Sequence, residues 1–137
     1  MYFMNEDHAY NFQNMILQDK THVNDRERFA LFYILGGNED LFLKRSHVYD
    51  FKLHEINPDV LTNAEVDFCS SSKALIRLAY NLYNGHEDSF ISPHDLFRTL
   101  DSRNYLIAKG AIDMRFGRDI EEQMNEGVEE EMEIEFL

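Results

Sequence analysis

The chain has 137 residues, of which 44% are hydrophobic, enough for a single domain to bury a core, and this excludes disorder throughout. Thirteen Lys and Arg stand against 26 Asp and Glu, a formal net charge of −13, so most of the surface repels phosphate and anionic lipid. Direct binding to nucleic acid or membrane is therefore not expected. The one cysteine, Cys69, allows no intrachain disulfide, zinc ribbon or redox pair, which points to a reducing, cytoplasmic setting.

The first ten residues carry acids where a signal or transit peptide has bases, and the longest apolar run, Phe29 to Leu35, is too short to cross a bilayer. Asn5, with Glu6 and Asp7 behind it, predicts a helix through about Gln18, because a short polar side chain caps orphan amides and acids favour the positive end of the dipole. Asn24 or Asp25 caps the next helix, which runs through FALFYIL and is expected to stop at Gly36-Gly37 in the left-handed conformation. Asn38 caps a short EDLFLKR segment with basic residues at its C-terminal end. Residues 46–61 show partial alternation and a proline, and read as an irregular connector with room for a short strand.

The best-defined element starts at Ser70-Ser71-Ser72 and stops at Gly85. Its polar positions, Lys73, Arg77, Asn81 and Asn84, form one narrow stripe; nearly everything else is apolar, which predicts a central, buried helix near 70–84. Ser92-Pro93 starts a further helix to about Leu100, with Pro where its missing amide costs nothing. Asp101 caps the last, with Tyr105, Ala108, Ile112 and Phe116 at helical spacing and Gly117 as its stop. Five or six helices joined by short connections predict an all-α single compact domain over 1–117.

Residues 118–137 form a separate acidic C-terminal extension, with nine acids and one arginine for a net of −8. Its first part can extend the last helix. The final seven residues alternate acid and apolar, which suits an extended strand with Met132, Ile134 and Phe136 on one side. Such a peptide can add to a partner's sheet edge or lie in a basic groove.

Few residues suggest chemistry. His47, Asp50 and His54 form one His/acid group, and His86, Glu87, Asp88, His94 and Asp95 another, but neither has the H-E-x-x-H or H-x-x-x-H spacing that places two imidazoles on one helical face. They read as polar loops, with no metal and no cofactor expected. Cys69 precedes a helix start, where a thiol pKa falls, yet no local motif supplies a base, so it reads as structural. There is no G-x-S-x-G elbow, G-x-x-x-x-G-K-S/T loop or G-x-G-x-x-G fingerprint, and no catalytic residue is assigned. Ser70, Ser71, Ser72 and Lys73 resemble a phosphate cradle, but capping alone explains the serines. Arg77, a long cation on a largely buried helix, is expected to meet a carboxylate of a neighbouring helix.

The segments RERFALFYILGGNEDLF (26–42), DFCSSSKALIRLAYNLYNG (67–85) and LDSRNYLIAKGAIDMRF (100–116) together resemble a family of small proteins of unknown function from low-GC Gram-positive bacteria and their phages and prophages. The likeness covers most of residues 1–117 and leaves out the extension from Arg118. It implies a mobile-element or host-cytoplasm context and carries over no functional residue.

The reading these features favour is a non-enzymatic, acidic protein-interaction module. In a phage-like context it would inhibit a host nucleic-acid enzyme, of the CRISPR or restriction type, by presenting carboxylates as phosphate mimics. Glu129, Glu130, Glu131, Glu133 and Glu135 are the expected contacts, with Ile134 and Phe136 as anchors. Two alternatives remain open. One is a small metal- or thiol-dependent enzyme using His86, His94, Asp95 or Cys69; the other is a homo-oligomeric assembly protein in which some of the 18 Phe and Tyr pack across a symmetry axis.

Overall fold

A computed structural model describes residues 2–63 and 65–117. The elements run α1 (Glu6–Asp19), α2 (Arg26–Gly37), α3 (Glu39–Leu43), α4 (Arg45–Val48), β1 (Tyr49–Asp50), β2 (Glu55–Ile56), a 3-10 turn (Pro58–Leu61), α5 (Ser70–Asn84), α6 (Pro93–Phe97) and α7 (Ser102–Phe116). The domain is all-α apart from a minimal antiparallel hairpin that pairs Tyr49 with Ile56 and Asp50 with Glu55. Among the described residues no helix is long and apolar enough to cross a membrane.

Most helix starts are set by local polar side chains. Asn5 accepts from the His8 amide, Asp25 from Arg28, Asn38 from Leu41, Ser92 from Asp95 and Asp101 from Asn104. At α5 the expected cap is displaced by one residue: Cys69 is the N-cap and makes no side-chain capping bond, while the three serines are already helical. Gly85 and Gly117 end α5 and α7 in the left-handed conformation, at φ of 79° and 66°.

Helix α2 packs against α1, α3, α5 and α7, and every residue from Ala30 to Gly37 is buried. α5 is buried along its apolar sides, and its polar stripe of Lys73, Arg77, Asn81 and Asn84 lies toward the surface. Each fully enclosed Leu, Ile or Phe contributes about 1.5–3 kcal/mol relative to exposure, so these two helices dominate the core.

Two expectations about faces are corrected. Gly36 and Gly37 do not turn left-handed; they are the last residues of α2, with negative φ. They are small because α1 lies against them: a Cβ on Gly36 would sit 3.1 Å from the Phe12 amide nitrogen, and one on Gly37 2.9 Å from Nε2 of His8. In α7 the buried residues are Asn104, Ile107, Ala108 and Ala111, while Tyr105 and Phe116 are exposed. Of the expected stripe Ala108 is buried and Ile112 packs against the core, while the two aromatic residues fall outside the buried face because small residues admit close approach to α2, Gly110 lying directly against the Tyr33 ring.

Gly37→Ala forces the new methyl against His8 and Ile107, and is expected to destabilise the fold by about 1–3 kcal/mol, a fall of several degrees in Tm. Thermal unfolding followed by circular dichroism checks this; an unchanged Tm would mean that the α1–α2 contact relaxes freely.

Candidate functional site

The predicted contact residues Glu129, Glu130, Glu131, Glu133, Ile134, Glu135 and Phe136 lie outside the described residues. The other candidates are dispersed. Asp50 accepts from the amides of Lys52 and Leu53, His86 packs edge-on against Tyr80, the Asp95 carboxylate accepts from the Ser92 hydroxyl while its amide donates to the same oxygen, and Asp88 meets Arg77. Among the described residues no three His, Cys, Asp or Glu side chains converge as a metal ion requires.

Ser71 donates to the Thr99 carbonyl and Ser72 to Asp40, so neither hydroxyl is free for an anion. Lys73 lines an open groove of about 320 Å³ beside Val60, Thr62, Asp67 and Phe68. Cys69 is exposed, and the Ser72 hydroxyl with the amides of Ser72 and Ser71 draws its thiol below the ordinary value. Arg77 does have an internal carboxylate, 2.6 Å from its Nε, although Asp88 belongs to the loop after α5 instead of a neighbouring helix.

The densest polar cluster joins parts of the chain that sequence reading kept separate. Asp19, the last residue of α1, is buried, and its carboxylate accepts from the Thr21 hydroxyl at 2.6 Å, the Tyr49 hydroxyl at 2.6 Å and Nδ1 of His54 at 2.7 Å. Arg28 closes the network. Its Nε donates to the Tyr49 oxygen at 2.9 Å, Nη1 to Asp25 at 2.8 Å and Nη2 to the His54 carbonyl at 2.6 Å, while the guanidinium lies over the Tyr83 ring. The Arg28 bond helps hold His54 in a left-handed conformation, φ 57°, that a non-glycine residue rarely adopts.

Nδ1 of His54 donates its N–H to the Asp19 carboxylate, so whenever the ring is neutral this bond selects the tautomer with its lone pair on Nε2. The His54 side chain is 49% exposed whereas that of Asp19 is 2% exposed, so a buried carboxylate orients an imidazole that reaches solvent. Chemically the pair offers a proton or hydrogen-bond acceptor in a fixed direction. Burial pushes the Asp19 carboxyl up, but the hydrogen bonds from Thr21, Tyr49 and His54 outweigh it and hold the group below its ordinary value of 3.8. Burial, then the bond to Asp19, pushes the Tyr49 phenol well above its ordinary value, so it remains a donor at neutral pH.

One sequence signal for this cluster existed. A carboxylate at the last position of a helix faces the negative end of the dipole and is unfavourable unless other groups satisfy it. Asp19 sits there, and Tyr49, His54 and Arg28 are those groups.

The model of a family described only as a family of unknown function, DUF6075, matches residues 1–128. The chain belongs to the DUF6075 family. The match runs past Gly117 into the acidic extension, further than the likeness read from sequence. No curated protein and no solved structure matches the chain.

In this DUF6075 protein Asp19→Ala leaves the Thr21 and Tyr49 hydroxyls and Nδ1 of His54 without their shared acceptor and removes the carboxylate 3.8 Å from Arg28, and is expected to cost about 2–4 kcal/mol. A carboxyl whose folded pKa is depressed stabilises the fold above its unfolded value and loses that contribution as pH falls through the folded one. Wild-type stability should therefore drop below about pH 4 by a component that Asp19→Asn lacks; parallel acid curves for the two would remove Asp19 from that role. Arg77→Ala is expected to cost about 1 kcal/mol, since the Asp88 pair is half-buried and the guanidinium also covers Phe90. Chemical denaturation measures it, and an unchanged midpoint would assign Arg77 to a partner instead.

Proposed function

We propose that this DUF6075 chain is an acidic, non-enzymatic protein-binding module that presents carboxylates to a basic surface of a partner. The observation that carries the reading is the unequal fate of its charges. Arg28, Arg45, Arg77, Arg103 and Arg115 all donate to acceptors within the chain, and Lys44 bridges Asp40 and the Asp67 carbonyl. Carboxylates such as Glu6, Asp7, Glu39, Glu55, Asp59 and Glu65 are exposed, and none of these six has an ion pair among the described residues. Among the described residues these six cations are thus held by acceptors within the chain, whereas the six carboxylates face solvent without a counter-charge.

In its finer form the proposal is a phage or mobile-element inhibitor of a host nucleic-acid enzyme in the cytoplasm, its glutamates standing where phosphates bind. Glu129, Glu130, Glu131, Glu133 and Glu135 supply charge, and Ile134 and Phe136 supply apolar anchors. Complementary charge speeds encounter and sets register, while anchors slow dissociation.

A second reading, acid–base chemistry at His54, is favoured by the Asp19–His54 geometry alone. The two separate cleanly. A pull-down from host lysate with the full chain is expected to recover a basic, nucleic-acid-binding partner at low salt and lose it at high salt, to weaken on deletion of residues 118–137, and to be indifferent to His54→Gln. Retention at high salt, or loss with His54→Gln while all glutamates remain, would overturn the electrostatic reading.

A further inference from the structure

His8 is a buried imidazole outside the cluster just described, and both of its ring nitrogens are assigned by their partners. Nε2 lies 2.7 Å from the Tyr33 carbonyl, which can only accept, and Nδ1 lies 3.0 Å from the Met4 amide, which can only donate. The ring is therefore neutral, with its proton on Nε2 and its lone pair facing Met4. It holds the segment Tyr2–Met4 across α1 and α2. Phe3 of that segment packs edge-on against His8 at 5.1 Å and also meets the Phe12 and Tyr33 rings, and the Tyr33 hydroxyl donates to the Tyr2 carbonyl at 2.7 Å.

We propose that His8 is an acid-sensitive latch: a proton on Nδ1 releases the Tyr2–Met4 strap while the helical body stays folded. Protonation turns Nδ1 from acceptor to donor, so it faces the Met4 N–H donor to donor and that bond is lost. The Nε2 bond to Tyr33 survives, which keeps the ring on α2 and confines the change to the strap. The titratable and charged groups facing His8 from other elements are Tyr33 on α2 and Arg103 on α7; Arg103, which donates to the Gly37 carbonyl beside the ring, repels a second cation. Burial, and then that repulsion, hold the imidazole below its ordinary value of 6.5 against the Tyr33 bond, which raises it. Release relieves the part of that burial which the strap supplies, so the docked state is intact above the His8 value of the released form and weakens as pH falls from there to the lower value of the docked form. Release would uncover the Phe12 and Tyr33 rings that Phe3 now covers.

Hydrogen exchange of the full chain read by NMR, with the ring-proton resonances of His8 followed in parallel, tests this. The Met4 amide, corrected for intrinsic rate, should lose protection by up to about tenfold per pH unit as pH falls through the His8 titration seen in the ring resonances and then level off, while core amides of α5 keep theirs. In His8→Gln, whose carboxamide offers the same acceptor and donor without titrating, Met4 protection should not vary with pH. If that variant does not fold, the wild-type titration decides alone. Met4 protection that persists through the His8 titration, or that disappears only together with the α5 amides, would overturn the latch.

Discussion

Helix α2 has no polar face to turn toward water. From Ala30 to Gly37 every residue is buried, so α1, α3, α5 and α7 must enclose it, and the remaining architecture follows from how that enclosure is achieved. The C-terminal end of a buried helix poses a second requirement, because its last carbonyls have no partner within the helix. Side chains from neighbouring elements answer it. Asn11 of α1 donates to the Gly36 carbonyl and Arg103 of α7 to that of Gly37, while His8 adds a bond to Tyr33. The paired glycines let these neighbours close in, so one sequence feature fixes both the apolar packing and the polar sealing of the same helix end.

The same economy of buried polar groups explains the Asp19 cluster. A carboxylate inside a fold is tolerated when all its lone pairs are directed at donors, and Thr21, Tyr49 and His54 provide them, with Arg28 adding a positive charge 3.8 Å away. The cluster is also a mechanical joint. Tyr49 stands on β1 and His54 in the turn just before β2, Arg28 on α2 and Asp19 at the end of α1, so a polar tie at one point joins three segments that also share the apolar core. The hairpin contains only two paired residues per strand and would have no independent stability without that tether.

Legibility in the sequence divides along the range of the interactions. Caps are local: Asn5, Asp25, Asn38, Ser92 and Asp101 act within three residues of themselves, and their helices start where the residues indicate. The span of α5 was legible for the same reason, its Gly85 stop and polar stripe being local patterns. Faces were less so. In α7 the spacing of Tyr105, Ala108, Ile112 and Phe116 marked a stripe of which only Ala108 and Ile112 meet the core; close approach to Tyr33 adds Ala111 and leaves both aromatics outside, a choice made by a partner helix and invisible in α7 alone. The Asp19–His54 contact joins residues 35 apart, and nothing local distinguishes His54 from the other loop histidines. Only the awkward position of Asp19 at a helix end hinted at it.

Holding arginines on acceptors within the chain bears on how such a surface works. A guanidinium engaged by a backbone carbonyl, as Arg115 is by Leu82 and Arg103 by Gly37, is less able to neutralise a nearby carboxylate. A negative field steers a basic partner over roughly a Debye length, about 8 Å at physiological salt, but does not by itself hold it. Retention needs apolar anchors. On the described surface Tyr10 and Leu17 are both exposed and lie two turns apart on one side of α1, next to the exposed acids Glu6 and Asp7. Charge beside exposed aromatic and aliphatic side chains is the combination that turns a fast encounter into a lasting one, and on the proposed reading it would give the folded body a share in partner binding alongside the anchors proposed for the extension.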